Sequence, residues 1–100
     1  YTSIEKFPLR VNEWSEIDYS EYIKIPDTKA CLNALHESTW HEWHKWDAKF
    51  SLHKIMGSLL EVQLPANTYH VIYFDAFAPT AQPELWSIAV FATCFNALAS

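Results

Sequence analysis

The stretch YHVIYF (residues 69–74), running into DAFAPTAQPELW (residues 75–86), decides how this chain folds. Its first six residues are an almost continuous apolar run with β-branched residues at the centre, the pattern of a strand buried on both faces of a parallel sheet. Asp75 then stands directly after a buried strand, at the carboxyl edge where open α/β sheets bind ligands. Residues 75–82 have no period and contain a proline, so they read as a loop. Pro83 sits where a first helical turn accepts proline, and Glu84 suits the positive start of a helix. Leu85, Ile88, Phe91, Phe95 and Leu98 continue at helical spacing, which predicts a helix from Pro83 to about Ala97 packed through Phe91, Phe95 and Leu98.

Upstream, YTSIEK (residues 1–6) alternates apolar and polar residues and is followed by Pro8, which predicts a short strand ending near Glu5. Residues 12–25 are polar with scattered aromatics and close at Pro26, as helical turns followed by a loop would. Thr28 can cap a helix in which Leu32, Leu35, Thr39, Trp43 and Trp46 recur at spacings of three and four. FSLHKIM (residues 50–56) alternates and stops at Gly57, a second strand with one wetter face. Strand, helices, strand, loop, strand, loop and helix in that order imply an α/β domain with parallel strands.

Composition narrows the function classes. One hundred residues, half of them apolar and 16% aromatic, suffice for one core. Twelve acids against seven bases give a net charge of -5 and no electrostatic footprint for a polyanion. A single glycine, where roughly seven are usual, excludes the glycine-rich loops that cradle phosphates. Cys31 and Cys94 lie far apart with no leader-like segment before them, which points to a reduced, cytoplasmic setting. The longest nearly uncharged stretch, residues 85–100, is shorter than the ~20 residues of a membrane span, so no membrane is expected. The chain opens on Tyr1 and stops at Ser100 within helix-forming sequence, so both ends are expected to be cut.

Asp75 either serves a ligand or satisfies backbone donors in the following turn. Glu5 either accepts hydrogen bonds from a nucleoside ribose diol or is a surface acid beside Lys6. His36, His41 and His44 fall on the expected helix, but HEWH (residues 41–44) is not the zincin motif and no cysteine or further acid stands at a ligand spacing, so no metal is expected. His53 and His70 read as half-buried or surface histidines. Trp40, Trp43 and Trp46 could form a base-stacking platform, but helical spacing favours a packing face. Cys94 lies in apolar helix with no base beside it, unsuited to a nucleophile.

Three separated pieces, SIEKFPL (residues 3–9), KIMGSL (residues 54–59) and YFDAFAPTAQPELW (residues 73–86), resemble the S-adenosylmethionine-dependent methyltransferase domain of the MnmC type, which completes 5-methylaminomethyl(-2-thio)uridine at the tRNA wobble position. The third piece is the specific one: a strand, then D-[AG]-F-A-P, a spacer and P-[ED]-[LM]-W. The resemblance implies a Rossmann-like sheet of which this chain carries the second, third and fourth strands with their helices. The first strand with its glycine-rich loop, and the fifth strand, would lie outside residues 1–100, making the chain the central part of one domain. It implies that Glu5, with Lys6 beside it, holds the ribose of S-adenosylmethionine. Gly57 and Ser58 would border the adenine, Ser58 replacing an aspartate and losing its charge and reach. Asp75, Phe77, Ala78 and Pro79 would face the methyl-accepting amine, with Asp75 also next to the cofactor and Trp86 on the helix behind. The implied partners are tRNA, bound largely by residues outside this chain because phosphate contacts need Lys and Arg, and a fused or separate flavin-dependent oxidase activity. Rival readings are a same-fold methyltransferase for another amine and a degenerate binding domain without catalysis.

Overall fold

The computed structural model describes residues 1–100, which form two compact units, Tyr1–Met56 and Gly57–Ser100. The first holds a three-stranded mixed sheet and two helices: β1 (Thr2–Glu5), α1 (Val11–Trp14), α2 (Thr28–Glu37), β2 (Trp43–Lys45) and β3 (Ser51–Met56). Strand order is β1-β3-β2. β1 runs parallel to β3, Thr2 facing His53 and Glu5 facing Met56, while β2 runs antiparallel, Trp43 facing His53 and Lys45 facing Ser51. This is a small α/β arrangement consistent with part of a methyltransferase fold. β1 and β3 lie where alternation places them, and they are parallel as expected.

The helix predicted from Thr28 through Trp46 is shorter than its spacing suggests, because α2 ends at Glu37. In a longer helix the carbonyls of Leu35 and His36 would accept N–H groups four residues on. Instead both accept from the Lys54 ammonium, at 2.9 Å each, and the Ser38 hydroxyl also donates to Leu35 at 2.8 Å. Lys54 is a strand residue only 8% exposed, and its amine also lies 4.6 Å from the Trp40 ring centre. At the other end Thr28 does not cap. Its hydroxyl donates to the Ile23 and Ile25 carbonyls, and Asp27, in left-handed conformation, takes the cap position.

With the helix ended, residues 38–42 turn the chain back. His41 adopts a φ of 63° and its N–H donates to the Lys54 carbonyl at 2.7 Å. The β2–β3 hairpin closes on Asp47, whose Oδ1 accepts from the Lys49 and Phe50 N–H groups. One sheet face buries Leu52 and Lys54. Trp14 of α1 is also buried and stacks on His36, rings 5.3 Å apart and 5° from parallel.

The second unit corrects the reading of residues 69–74. They form no strand: Tyr69 makes one parallel bridge to Leu98, and Val71 is 61% exposed. A continuous apolar run becomes a buried strand only with strands on both sides, and this unit contains none. The predicted helix is divided into a 3-10 turn, Pro83–Leu85, and α3, Ile88–Ala97, restarted by Ser87, whose hydroxyl accepts from the Val90 N–H. Its buried stripe is Val90, Cys94 and Ala97, while Phe95 is 76% exposed and Phe91 and Leu98 are not buried. Both cysteines are free.

The Lys54 bridge and the His36 stack each have a measurable consequence. Replacing Lys54 by methionine fills the space but leaves the His36 carbonyl without its donor and the Leu35 carbonyl with the Ser38 hydroxyl alone, and should cost about 2 kcal/mol in urea unfolding and speed amide exchange in the last turn of α2. Burial first, and the Lys54 ammonium second, hold the His36 pKa below its ordinary 6.5. The unfolded chain therefore takes up that proton more readily, so the contribution is complete above about 6.5 and is lost as pH falls. Unfolding midpoints at acid and neutral pH should draw closer together in His36→Phe, which keeps the stack and removes the titration.

Candidate active-site loop and cofactor edge

The expected site residues fall into three groups along the chain. Glu5 ends β1 opposite Met56, at the carboxyl end of the parallel pair, where ligands of such sheets bind. Its carboxylate is exposed, with Oε1 accepting from the Phe7 N–H at 2.9 Å. Lys6 is exposed too, its amine lying 5.4 Å from the Phe7 ring centre.

Gly57 and Ser58 follow β3. Gly57 has φ 156°, which side-chain-bearing residues rarely adopt, although a Cβ there would meet only Val62 Cγ2 at 3.7 Å. Backbone conformation, not space, therefore requires glycine. Ser58 is buried and turned inward: its hydroxyl accepts from the Leu60 N–H, and its carbonyl accepts from Glu61 and Val62.

Asp75 and its loop form the third group. The loop is held by two side chains from its own C-terminal part. The Gln82 amide oxygen accepts from the Phe77 N–H at 3.2 Å, and the Trp86 indole N–H donates to the Phe77 carbonyl at 2.8 Å. Between them, Ala81 and Gln82 N–H groups return to the Ala78 carbonyl. The Trp86 ring meets Phe74 edge-on at 5.3 Å, and Phe91 lies 5.1 Å from Phe74 and 6.0 Å from Trp86. This aromatic trio fixes the residue preceding Asp75, while Asp75, Phe77, Ala78 and Pro79 remain exposed. Gln82, not Asp75, satisfies the turn donor at Phe77, so the carboxylate is left open. Sequence reasoning gives Gln82 no role; its spacing of five from Phe77 is the one available signal.

A family model described as S-adenosyl-L-methionine-dependent methyltransferase matches residues 10–100. The chain belongs to this family. The family includes MnmC-type domains, in agreement with the resemblance of the third motif. Methyltransferase chemistry with S-adenosylmethionine as cofactor follows at the level of the family. The match begins after Glu5 and Lys6, and it covers Gly57, Ser58, Asp75 and Trp86. No curated protein and no solved structure matched the chain.

The histidine and tryptophan series are rearranged. His36 lies on α2, His41 in the turn and His44 on β2, so the three do not share a helix. No three His, Cys, Asp or Glu side chains gather in metal-binding fashion. Trp43 is on a strand and Trp46 just beyond it, which removes the helical packing face. No helix is long and apolar enough to cross a membrane.

The anchoring of the loop gives a direct expectation. Trp86→Phe keeps the ring against Phe74 and Phe91 but removes the donor to Phe77, so amide exchange across residues 77–82 should accelerate while unfolding by urea shifts by only about 1 kcal/mol. Unchanged exchange would show that the aromatic contact alone holds the loop.

Proposed function

We propose that this chain is the central part of an S-adenosylmethionine-dependent N-methyltransferase domain that completes 5-methylaminomethyl(-2-thio)uridine at the wobble position of tRNA, in the cytoplasm and alongside a flavin-dependent oxidase activity. The observation that carries this reading is the Asp75 loop: an exposed carboxylate on a backbone held from both sides by Gln82 and Trp86.

When bound, S-adenosylmethionine supplies an electrophilic methyl group on a positively charged sulfur. Glu5 suits the ribose of that cofactor, because an exposed carboxylate at a strand's carboxyl end can accept from two neighbouring hydroxyls. Ser58 does not fit the adenine-reading role of the aspartate it replaces, since it is buried, its hydroxyl turned inward to the Leu60 N–H, and it lacks the charge and reach of a carboxylate. Recognition there falls to the backbone about Gly57.

An alkylamine is mostly protonated near neutral pH, and its nitrogen must lose a proton before its lone pair can attack. Asp75 binds and orients the ammonium, then accepts or relays that proton. Phe77, Ala78 and Pro79 border the amine, and Trp86 holds the loop so that nitrogen and methyl can be brought into line, an effect of position rather than of chemistry.

Two variants of the full-length protein test these roles with hypomodified tRNA. Asp75→Asn should slow methyl transfer ~10²-fold or more and leave S-adenosylmethionine affinity nearly unchanged. Glu5→Ala should lose ~1 to 3 kcal/mol of cofactor binding, about ten- to a hundredfold. Normal turnover in Asp75→Asn would reduce that residue to a loop acid. The inward Ser58 hydroxyl favours a second reading, a binding domain without catalysis, which failure of the wild-type protein to methylate either tRNA or a free alkylamine would support.

A further inference from the structure

The first unit leaves one sheet face open, and its surface is unlike the rest of the chain. Leu52 and Lys54 are buried on one side, whereas on the other Trp43, Lys45, Ser51 and His53 form two cross-strand pairs, none of them buried. The Trp43 ring is 61% exposed yet held, with its centre 4.8 Å from the His53 ring at 32°. Leaving so much apolar ring in water has a cost, and a cross-strand partner that fixes it makes a flat surface ready for stacking.

The charge around it is also distinct. Residues 41–53 contain two of the seven basic residues, Lys45 and Lys49, and three of the five histidines, with only two acids against ten elsewhere in the chain. Those two acids have internal partners: Glu42 accepts from the Thr39 hydroxyl, and Asp47 accepts from the Lys49 and Phe50 N–H groups. Lys45 shares the strand face of Trp43, and Lys49 lies exposed in the adjoining hairpin loop.

We propose that the open face of the β2–β3 hairpin is a single-stranded RNA contact, on which Trp43 stacks an unpaired base and Lys45 and Lys49 meet the flanking phosphates. A π-face beside ammonium groups matches the two repeating features of such a strand, whereas bases within a duplex are already stacked. Hydroxyl and imidazole groups at Ser51 and His53 suit a base edge better than an apolar protein partner. The proposal rests on tRNA being the substrate, whose wobble base lies in a single-stranded loop, and it places part of the RNA surface within this chain despite the net charge of -5.

The test is fluorescence anisotropy of the full-length protein with a short labelled oligouridine, beside methyl transfer to hypomodified tRNA. Trp43→Ala should weaken oligouridine binding ~10-fold or more, with Trp43→Phe retaining most of it. The pair Lys45→Gln and Lys49→Gln should lower the log–log salt slope by roughly 1.4, about 0.7 for each lost phosphate contact. The lysine pair also keeps the test decisive should Trp43→Ala misfold. Wild-type binding by Trp43→Ala, or an unchanged salt slope in the lysine pair, would overturn the proposal and leave the face to a protein partner. Loss of oligouridine binding in these variants of a protein that methylates no tRNA would uphold the surface and count against the substrate reading alone.

Discussion

The first unit depends on one buried amine. Lys54 projects from the central strand of the sheet to the end of α2 and donates to two carbonyls there, with Trp40 over its remaining side. Burying an ammonium is costly unless it is well satisfied, and desolvation lowers the Lys54 pKa from its ordinary value. Its partners are suited to the task, because the last carbonyls of a helix have no intrahelical donors and carry the negative end of the helix dipole. Two groups that would each be expensive to bury alone satisfy one another.

That contact has geometric consequences. By occupying the Leu35 and His36 carbonyls it stops α2, and the residues released by the stop turn back to form β2 on the far edge of β3. The Lys54 backbone joins in, its carbonyl accepting from His41 at the turn. One residue therefore terminates a helix with its side chain and secures the return of the chain with its backbone. Lys29 acts similarly at the start of α2, its amine donating to the carbonyls of Ser15 and Ile17 and so tying the turns after α1 to the helix. Two lysines thus order a unit with few large apolar residues fully enclosed.

These contacts explain what the sequence could and could not reveal. β1 and β3 were legible because alternation and the stops at Pro8 and Gly57 are local signals. The end of α2 was not, since Leu35, Thr39, Trp43 and Trp46 keep helical spacing and the interruption comes from a residue 18 positions after His36. The buried face of α3 was ambiguous for another reason. IAVFATCFNA is apolar almost all round, so spacings of three and four fit both Phe91 with Phe95 and Val90 with Cys94, and only packing selects the second. The run 69–74 has strand composition, but composition cannot supply neighbouring strands, and in its own unit it makes a single bridge.

The loop after that run is irregular, as its lack of a period predicts, and its motif contains its own supports. Of the residues between Asp75 and Trp86, Gln82 and Trp86 both bond Phe77, one through its N–H and the other through its carbonyl, so a single peptide neighbourhood is held from two directions by side chains within nine residues. Such a motif draws its backbone supports from its own residues, although the preceding residues form no strand. The division of labour is also visible within it. Side chains that bond backbone are the amide and the indole, whereas the carboxylate of Asp75 takes no part in fixing the loop and stays exposed. An acid that contributes nothing to its own loop's hydrogen bonding is available for a ligand, and a loop that holds itself can offer that acid in a constant position.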